Sequence, residues 1–350
     1  MNPSTMSSHD DRLRNFVSLA TAADFSKAPV KKLKGDASNR SYYRVGERPS
    51  WVVMVMPQDA AKSEEKTQGE SPQELPFVNV HRYLHRLGVR VPNILRYDAD
   101  AGLMALEDLG DLTFQAALLR EPKLKERLYE RAIDTLAGLR AQAEGAPDPA
   151  CLAFARVFNV ELYDWELHHF REWGLEARTG RAPALADRSR IDALFLEIAK
   201  RLDAEPRGLT HRDYQSRNLM IKGEEMVIID FQDALLGPRQ YDLVALLRDS
   251  YVELDRPFIE RMLERYLSAF ERAGGPRLER APFVRVFDLL TIQRKLKDAG
   301  RFEFIARVKG NPGFLPYVEP SLRYVRAALE RVPEAAELGE ILARYVPELR

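Results

Sequence analysis

The segment His211-Arg212-Asp213-Tyr214-Gln215-Ser216-Arg217-Asn218 places an aspartate five residues before an asparagine, and the apolar run from Met226 to Ile229 then ends in Asp230. Two carboxylates and an amide in this order suit phosphoryl transfer. That reaction needs a group that orients an acceptor hydroxyl and takes its proton, and oxygen ligands for a divalent cation that offsets charge on phosphate oxygens. Asp213 is the candidate base. Asn218 and Asp230 are candidate ligands for Mg²⁺, whose remaining positions would go to water and phosphate oxygens. Residues 219–222 and 226–230 flank a Gly-Glu-Glu turn, which predicts a hairpin that brings Asn218 and Asp230 together. His211, opening the loop, is assigned to its support through backbone contacts. Asp242 is either a plain helix N-terminal carboxylate, favoured by the helix dipole, or an anchor for the loop. The competing reading has His211 and Asp213 capping a turn while Asp230 ends a strand, and it leaves the order, spacing and hairpin as coincidences.

Elements must hold these residues in place. Apolar spacing over 12–20 predicts a helix, and the stretches KAPVKKLKGDASNRSYYRV and SWVVMVM alternate as strands joined by turns. Gln58 to Pro76 is polar and reads as a mobile loop, and a helix over 77–87 ends at Gly88. Two short strands and an acidic turn follow, through Asp111. Beyond Leu112 the periodicity is helical over 123–141, 157–177 and 188–203, then β over 209–236. Helices are expected near 241–251, 256–273, 281–299, 319–331 and 334–345, with no internal repeat.

Small residues in Gly35-Asp36-Ala37-Ser38-Asn39-Arg40-Ser41 let backbone amides approach phosphates. Ser38, Asn39 and Arg40 are therefore candidate nucleotide-binding residues, although a polar hairpin turn has the same composition. Glu107-Asp108-Leu109 follows an apolar strand where a hinge would offer backbone groups to adenine, and Glu107 and Leu109 are its candidates; locally it is only an acidic turn. The helix NVELYDWELHHFREWGL carries Tyr163, Trp165, His168, His169 and Trp173, a stripe read chiefly as helix packing. Arg294 and Lys297 lie three apart on a predicted helix, where they would share a face able to receive a carboxylate, or simply be solvated.

The 350 residues exceed one ordinary core, so two lobes with a cleft between them are expected. The 53 basic and 53 acidic side chains cancel, which removes the field of a nucleic-acid binder and makes any phosphate binding local. No long uncharged apolar run suggests a membrane span. A single cysteine, Cys151, and an amino terminus without a secretion signal lead to a cytoplasmic expectation. No obligate protein partner is inferred.

The motif order GDASNRSYYRV, SWVVMV, LMALEDLGD, THRDYQSRNLMI and VIIDFQDALLGPRQYDLVALL resembles the aminoglycoside phosphotransferase and choline kinase superfamily over nearly the whole chain. The resemblance implies an α+β, protein-kinase-like bilobal fold with ATP and Mg²⁺ between the lobes. Residues 1–108 would form a small β-rich N-terminal lobe, and residues 109–350 a larger, mostly helical C-terminal lobe. Protein kinases themselves fit less well: Gln232 stands where they have glycine, and the 35–45 loop lacks their repeated glycines. Within the superfamily, HRDYQSRNLM, IDFQDALLGPRQYDLVALLRDSY and QRKLKDAGRFEFIARVKGNPGFLPYVEP are similar to the bacterial anomeric kinases of N-acetylmuramate and N-acetylglucosamine. That likeness implies a small amino-sugar substrate phosphorylated at its anomeric hydroxyl, in cell-wall recycling. Arg294 and Lys297 would then meet the lactyl carboxylate of N-acetylmuramate. Kinases of other small alcohols, such as aminoglycosides or choline, are the alternative, as is a nucleotide-binding pseudokinase. One departure stands out: the strand lysine or arginine that holds the α and β phosphates in the family falls at Met54, leaving Arg40 or Arg44 as possible substitutes.

Overall fold

The computed structural model describes residues 3–33, 40–56 and 74–350. Ser38 and Asn39 lie outside these residues, as does most of the expected 58–76 loop. Helix α1 (Pro3–Thr21) is followed by β1 (Val30–Lys32), β2 (Ser41–Gly46) and β3 (Ser50–Val55). After α2 (Pro76–Arg86), strands β4 (Ile94–Asp98) and β5 (Leu103–Glu107) complete an antiparallel sheet in the order β1-β2-β3-β5-β4. Strand alternation sorts the side chains of β3. Val53 joins Leu13, Phe16 and Val17 of α1 in a small outer core, whereas Met54, on the opposite face, packs into the main core with Met104 and Leu106.

Helix α2 starts with Pro76 at its first turn, where the missing N–H costs nothing. It ends ahead of Gly88, whose φ of +72° turns the chain away. It also ties the lobes together. Phe77 meets Phe231 with ring centroids 4.8 Å apart, and the Tyr83 hydroxyl donates to the Ala146 carbonyl at 2.9 Å.

The larger lobe contains α3 (Phe114–Arg120), α4 (Lys125–Gly145), the single turn α5 (Leu152–Ala155), α6 (Val160–His169) and α7 (Leu185–Asp203). Two small antiparallel pairs interrupt the helices: β6 (Arg207–Thr210) with β9 (Leu235–Pro238), and between them the hairpin β7 (Leu219–Lys222) and β8 (Glu225–Ile228). Then come α8 (Tyr241–Leu247), α9 (Arg256–Arg272), α10 (Arg280–Val308), α11 (Val318–Leu329) and α12 (Ala336–Leu342). The fold is a small sheet lobe set on a larger helical lobe, the kinase-like bilobal architecture. No helix among the described residues is long and apolar enough to cross a membrane.

Two helices depart from their sequence pattern. Helix α10 runs to Val308 instead of stopping near 299, and α6 passes into a π-helical stretch, Phe170–Ala177. Both departures occur at one crossing. A Cβ at Gly300 would lie 2.7 Å from Phe170 Cα, and one at Gly174 would lie 3.3 Å from Gly300 Cα. Gly300 therefore lets the backbones meet, and the contact stabilises a helix that glycine on its own would weaken. Of the aromatic stripe on α6, Tyr163 is buried, while Trp165, His169 and Trp173 are half-buried and pack as rings beside Phe304 of α10.

Candidate active site

The chain leaves β6 at Thr210, whose hydroxyl donates to the Leu235 carbonyl at 2.8 Å, and enters the 211–218 loop. The buried carboxylate of Asp242, in the first turn of α8, accepts the His211 amide at 2.8 Å on one oxygen and the Arg212 amide at 3.0 Å on the other. Burial pushes the Asp242 carboxyl above the usual range, opposed by His211 and by those backbone bonds. The His211 ring spans the loop. Its Nε2 donates to the Ile229 carbonyl at 2.9 Å, and its Nδ1 accepts the Asp213 amide at 3.2 Å, which sets the tautomer. Further along, the Ser216 amide reaches Asp249 at 2.9 Å, and Tyr214 reaches the Ala132 carbonyl of α4 at 2.9 Å.

These ties place Asp213, Asn218 and Asp230 side by side. The Asn218 amide nitrogen donates to the Asp213 carbonyl at 2.9 Å and lies 3.4 Å from Asp230 Oδ2. The β7–β8 hairpin, with Leu219 opposite Ile228, closes the distance between the two parts of the motif. Arg212 and Asp230 hold φ of +77° and +66°. Left-handed backbone at a non-glycine residue costs roughly 1–2 kcal/mol, and two of the three such residues described flank the candidate groups Asp213 and Asn218. Asp230 lines a deep cleft where solvent reaches it although protein crowds it from all sides. That crowding raises its carboxyl pKa, Gln232 lowers it with a 2.8 Å bond, and the charge of Asp213 raises it again. A divalent cation fits this donor set: a crowded carboxylate near Asp213 and Asp233, with a neutral amide alongside, supplies hard oxygens and excess negative charge. No cluster of three His, Cys, Asp or Glu side chains suited to a metal exists among the described residues. Such a cation would therefore depend on phosphate oxygens and water to complete its shell.

Between the lobes lies a cleft of 620 Å³. One part is apolar, with Val52, Leu106, Met220 and Ile229, and the other carries Gln115, Arg217, Asn218, Asp230 and Gln232. Glu107, Asp108, Leu109 and Gly110 form the edge that joins the lobes. The Glu107 carboxylate is engaged by Arg90, by Lys222 at 2.7 Å and by the Asn93 amide at 3.1 Å. Although burial opposes it, this set of donors holds Glu107 down to about 2. Asp108 accepts from Arg44 at 2.6 Å and from Ser50 at 2.7 Å. Both carboxylates are thus turned to protein partners, and the Asp108 carbonyl also accepts from Lys222 at 3.0 Å.

Met54 is wholly buried, and Arg44 is committed to Asp108 and Asp111. Arg40 hydrogen-bonds Tyr42, a cleft residue that pairs with Met54 across the β2–β3 ladder. Arg217 is held by Gln115 at 3.0 Å and by the Tyr317 hydroxyl at 2.9 Å, with its guanidinium 3.6 Å from the Tyr251 ring centroid.

Arg294 and Lys297 are not on a solvated face. Arg294 is buried, donating to the Arg212 carbonyl at 2.7 Å and to Asp213 Oδ1 at 3.0 Å, over the Tyr241 ring at 4.9 Å. Burial opposes its charge, but Tyr241, Asp298 and Asp213 together outweigh that and keep it protonated. Lys297 lies one turn further, 3.6 Å from Asp298. The buried Glu166 beneath the loop accepts from Gln293 at 2.7 Å and faces Arg212 at 3.5 Å. Sequence reading missed Glu166, Asp249 and the Arg294–Asp213 contact. A charged residue within an otherwise apolar helical stripe was the one available signal.

The family model for the phosphotransferase enzyme family matches residues 29–279. The chain belongs to that family. It is 35% identical over 337 residues to an N-acetylmuramate/N-acetylglucosamine kinase of Pseudomonas aeruginosa, covering 93% of this chain and 92% of that one. A second N-acetylmuramate/N-acetylglucosamine kinase, from Pseudomonas putida, is 32% identical over 88% of this chain and 86% of its own length. Among solved structures, a choline/ethanolamine kinase family protein from Mesorhizobium loti superposes with a TM-score of 0.57 at 14% identity, covering 95% of this chain and 98% of that chain. This last likeness concerns the fold.

Proposed function

We propose that this phosphotransferase moves the γ-phosphoryl group of ATP to the anomeric hydroxyl of N-acetylmuramate or N-acetylglucosamine. The observation that carries the proposal is the grouping of Asp213 with Asn218 and Asp230, the latter two lining the interlobe cleft, in a chain with two such kinases as relatives over most of its length. The apolar part of the cleft suits a purine, with the hinge backbone at its edge. Asn218 and Asp230 would hold Mg²⁺, which when bound offsets charge on the phosphate oxygens. Asp213 accepts the acceptor hydroxyl's hydrogen bond, aligns its oxygen for attack and takes its proton. His211 and Asp242 hold the loop in register, and Arg40, which bonds the cleft residue Tyr42, is the candidate to stand in for the absent strand lysine.

The acceptor side favours a neutral or anionic substrate. Helix α10 sets Arg294 against Asp213 and Lys297 near Asp298 one turn on, cations that suit an anionic acceptor better than an aminoglycoside or choline. We assign the acceptor's carboxylate to Lys297, which lies 3.6 Å from Asp298 on the same helix. Phosphorus NMR of reactions with ATP, Mg²⁺ and each sugar tests the reading, and a sugar 1-phosphate is the expected product. Absence of product with both sugars would refute the substrate, whereas ATP binding without turnover on any acceptor would mean a pseudokinase. Asp213→Ala and Asp213→Asn should each lower kcat by about 10²–10⁴-fold with the fold intact. Near-normal turnover in either would remove Asp213 as base.

A further inference from the structure

We propose that Arg294 is a positioning residue, clamping one oxygen of Asp213 so that the other alone meets the acceptor hydroxyl. The proposal rests on the reading of Asp213 as base. Arg294 lies midway along α10, and its guanidinium fork spans two consecutive residues of the loop, the Arg212 carbonyl at 2.7 Å and Asp213 Oδ1 at 3.0 Å. Arginine suits this task because its donors leave the group in a fixed plane, so fixing one contact fixes the other. Arg212 is also the residue with φ of +77°. The clamp thus fastens the strained backbone and the reacting side chain together.

Exposure differs sharply across the contact. The Arg294 side chain is 2% exposed and Asp213 is 30% exposed. Among the described residues, Asp213 Oδ2 has no protein partner, so the open oxygen is the one directed away from Arg294. The clamp itself is braced. Tyr241 lies under the guanidinium, and Asp298, one turn further along α10, stands 4.0 Å from its Nε. Asp298 in turn is held by Lys295 at 2.6 Å, and Lys295 donates to Ser250 at 2.6 Å. A buried arginine with both fork nitrogens engaged is poorly placed to swing out and bind substrate. Its contribution passes through the orientation of Asp213.

The test compares Arg294→Met and Arg294→Lys in the full chain, each also combined with Asp213→Asn, using ATP, Mg²⁺ and both sugars, with thermal unfolding as the control for folding. Arg294→Met should lower kcat about 10²-fold, the cost of loosening a reacting group by about 1 Å. KM for either sugar should stay within about threefold, since no acceptor contact is lost. Arg294→Lys, which reaches one of the two acceptors, should fall between wild type and Arg294→Met. In the Asp213→Asn background, Arg294→Met should remove less than about threefold more, because the clamp no longer acts on a base. A rise in KM for N-acetylmuramate alone would overturn the proposal and make Arg294 a substrate ligand. Retained kcat in Arg294→Met, or losses that multiply in the double variant, would also overturn it. If neither single variant folds, Arg294 is a stability residue and the proposal fails. Normal turnover of Asp213→Asn alone is a separate result, against the base assignment itself.

Discussion

Replacing Asp242 with asparagine changes one atom type in the anchor of the 211–218 loop, and its consequences follow from two hydrogen bonds. The carboxylate accepts the His211 and Arg212 amides on separate oxygens. Asparagine offers one oxygen and one NH₂ group, so one buried amide faces a donor and loses its partner. An unsatisfied buried donor costs about 1–3 kcal/mol, and the surviving bond loses its charge assistance, about 1 kcal/mol more. Some of this is recovered, because burial already disfavours the charge on Asp242. A net loss of about 2–3 kcal/mol is expected. For a chain of 350 residues the unfolding entropy is about 0.7 kcal/mol/K, so Tm should fall by roughly 3–4 °C. At 25 °C such a variant stays folded, yet the loop it releases carries Asp213 one residue beyond the lost contact. A displacement of about 1 Å at the base predicts a loss of about 10² in kcat. Calorimetry and a coupled ADP-release assay on the same preparation measure both quantities. A lowered Tm with kcat within about threefold of wild type would refute the claim that Asp242 positions the base. An unchanged Tm would refute the energetic argument as well.

Gly300→Ala should lower Tm despite alanine's better helix propensity of about 1 kcal/mol, because its Cβ meets the Phe170 backbone at 2.7 Å and overpacking costs about 1–3 kcal/mol. A higher Tm would show that the crossing has slack. Glu107 has a folded pKa of about 2 against an ordinary 4.5. Its ion pairs therefore stabilise the fold fully above pH 4.5, and that contribution is lost as pH falls toward 2. Discounted for solvent screening, the loss amounts to about 1–2 kcal/mol. Glu107→Gln should flatten the acid limb of chemical-denaturation stability over this window, and an unchanged slope would contradict the assignment.

The Asp213-to-Asp230 constellation was readable because its parts lie within one loop and one hairpin, where spacing and turn chemistry are written locally. The same holds for β2, β3 and the α2 end at Gly88, each set by alternation or by a residue that ends an element. The extent of α10 was not readable. Its pattern is interrupted at Gly300, and what carries the helix on to Val308 is a backbone approach from residues 169–174, more than a hundred positions away. Arg294 and Lys297 invited a surface reading for a related reason. A charge on a helix is normally solvated, and what allows Arg294 to be buried is a carboxylate 81 positions earlier.

By itself the sequence determined the candidates on offer: two carboxylates and an amide whose order and spacing suit phosphoryl transfer, and a strand that carries Met54 where the family resemblance leads one to expect a lysine. Those properties belong to residue types and short spacings, which do not depend on how the rest of the chain packs. Tertiary structure alone decided which charges face the cleft and which serve the protein. It turned Glu107 and Asp108 toward Arg90, Lys222 and Arg44, buried Met54, and aimed Arg294 at Asp213. The physical reason is that a charged group removed from water must find its partner in space, and neighbours in space are set by packing over the whole chain.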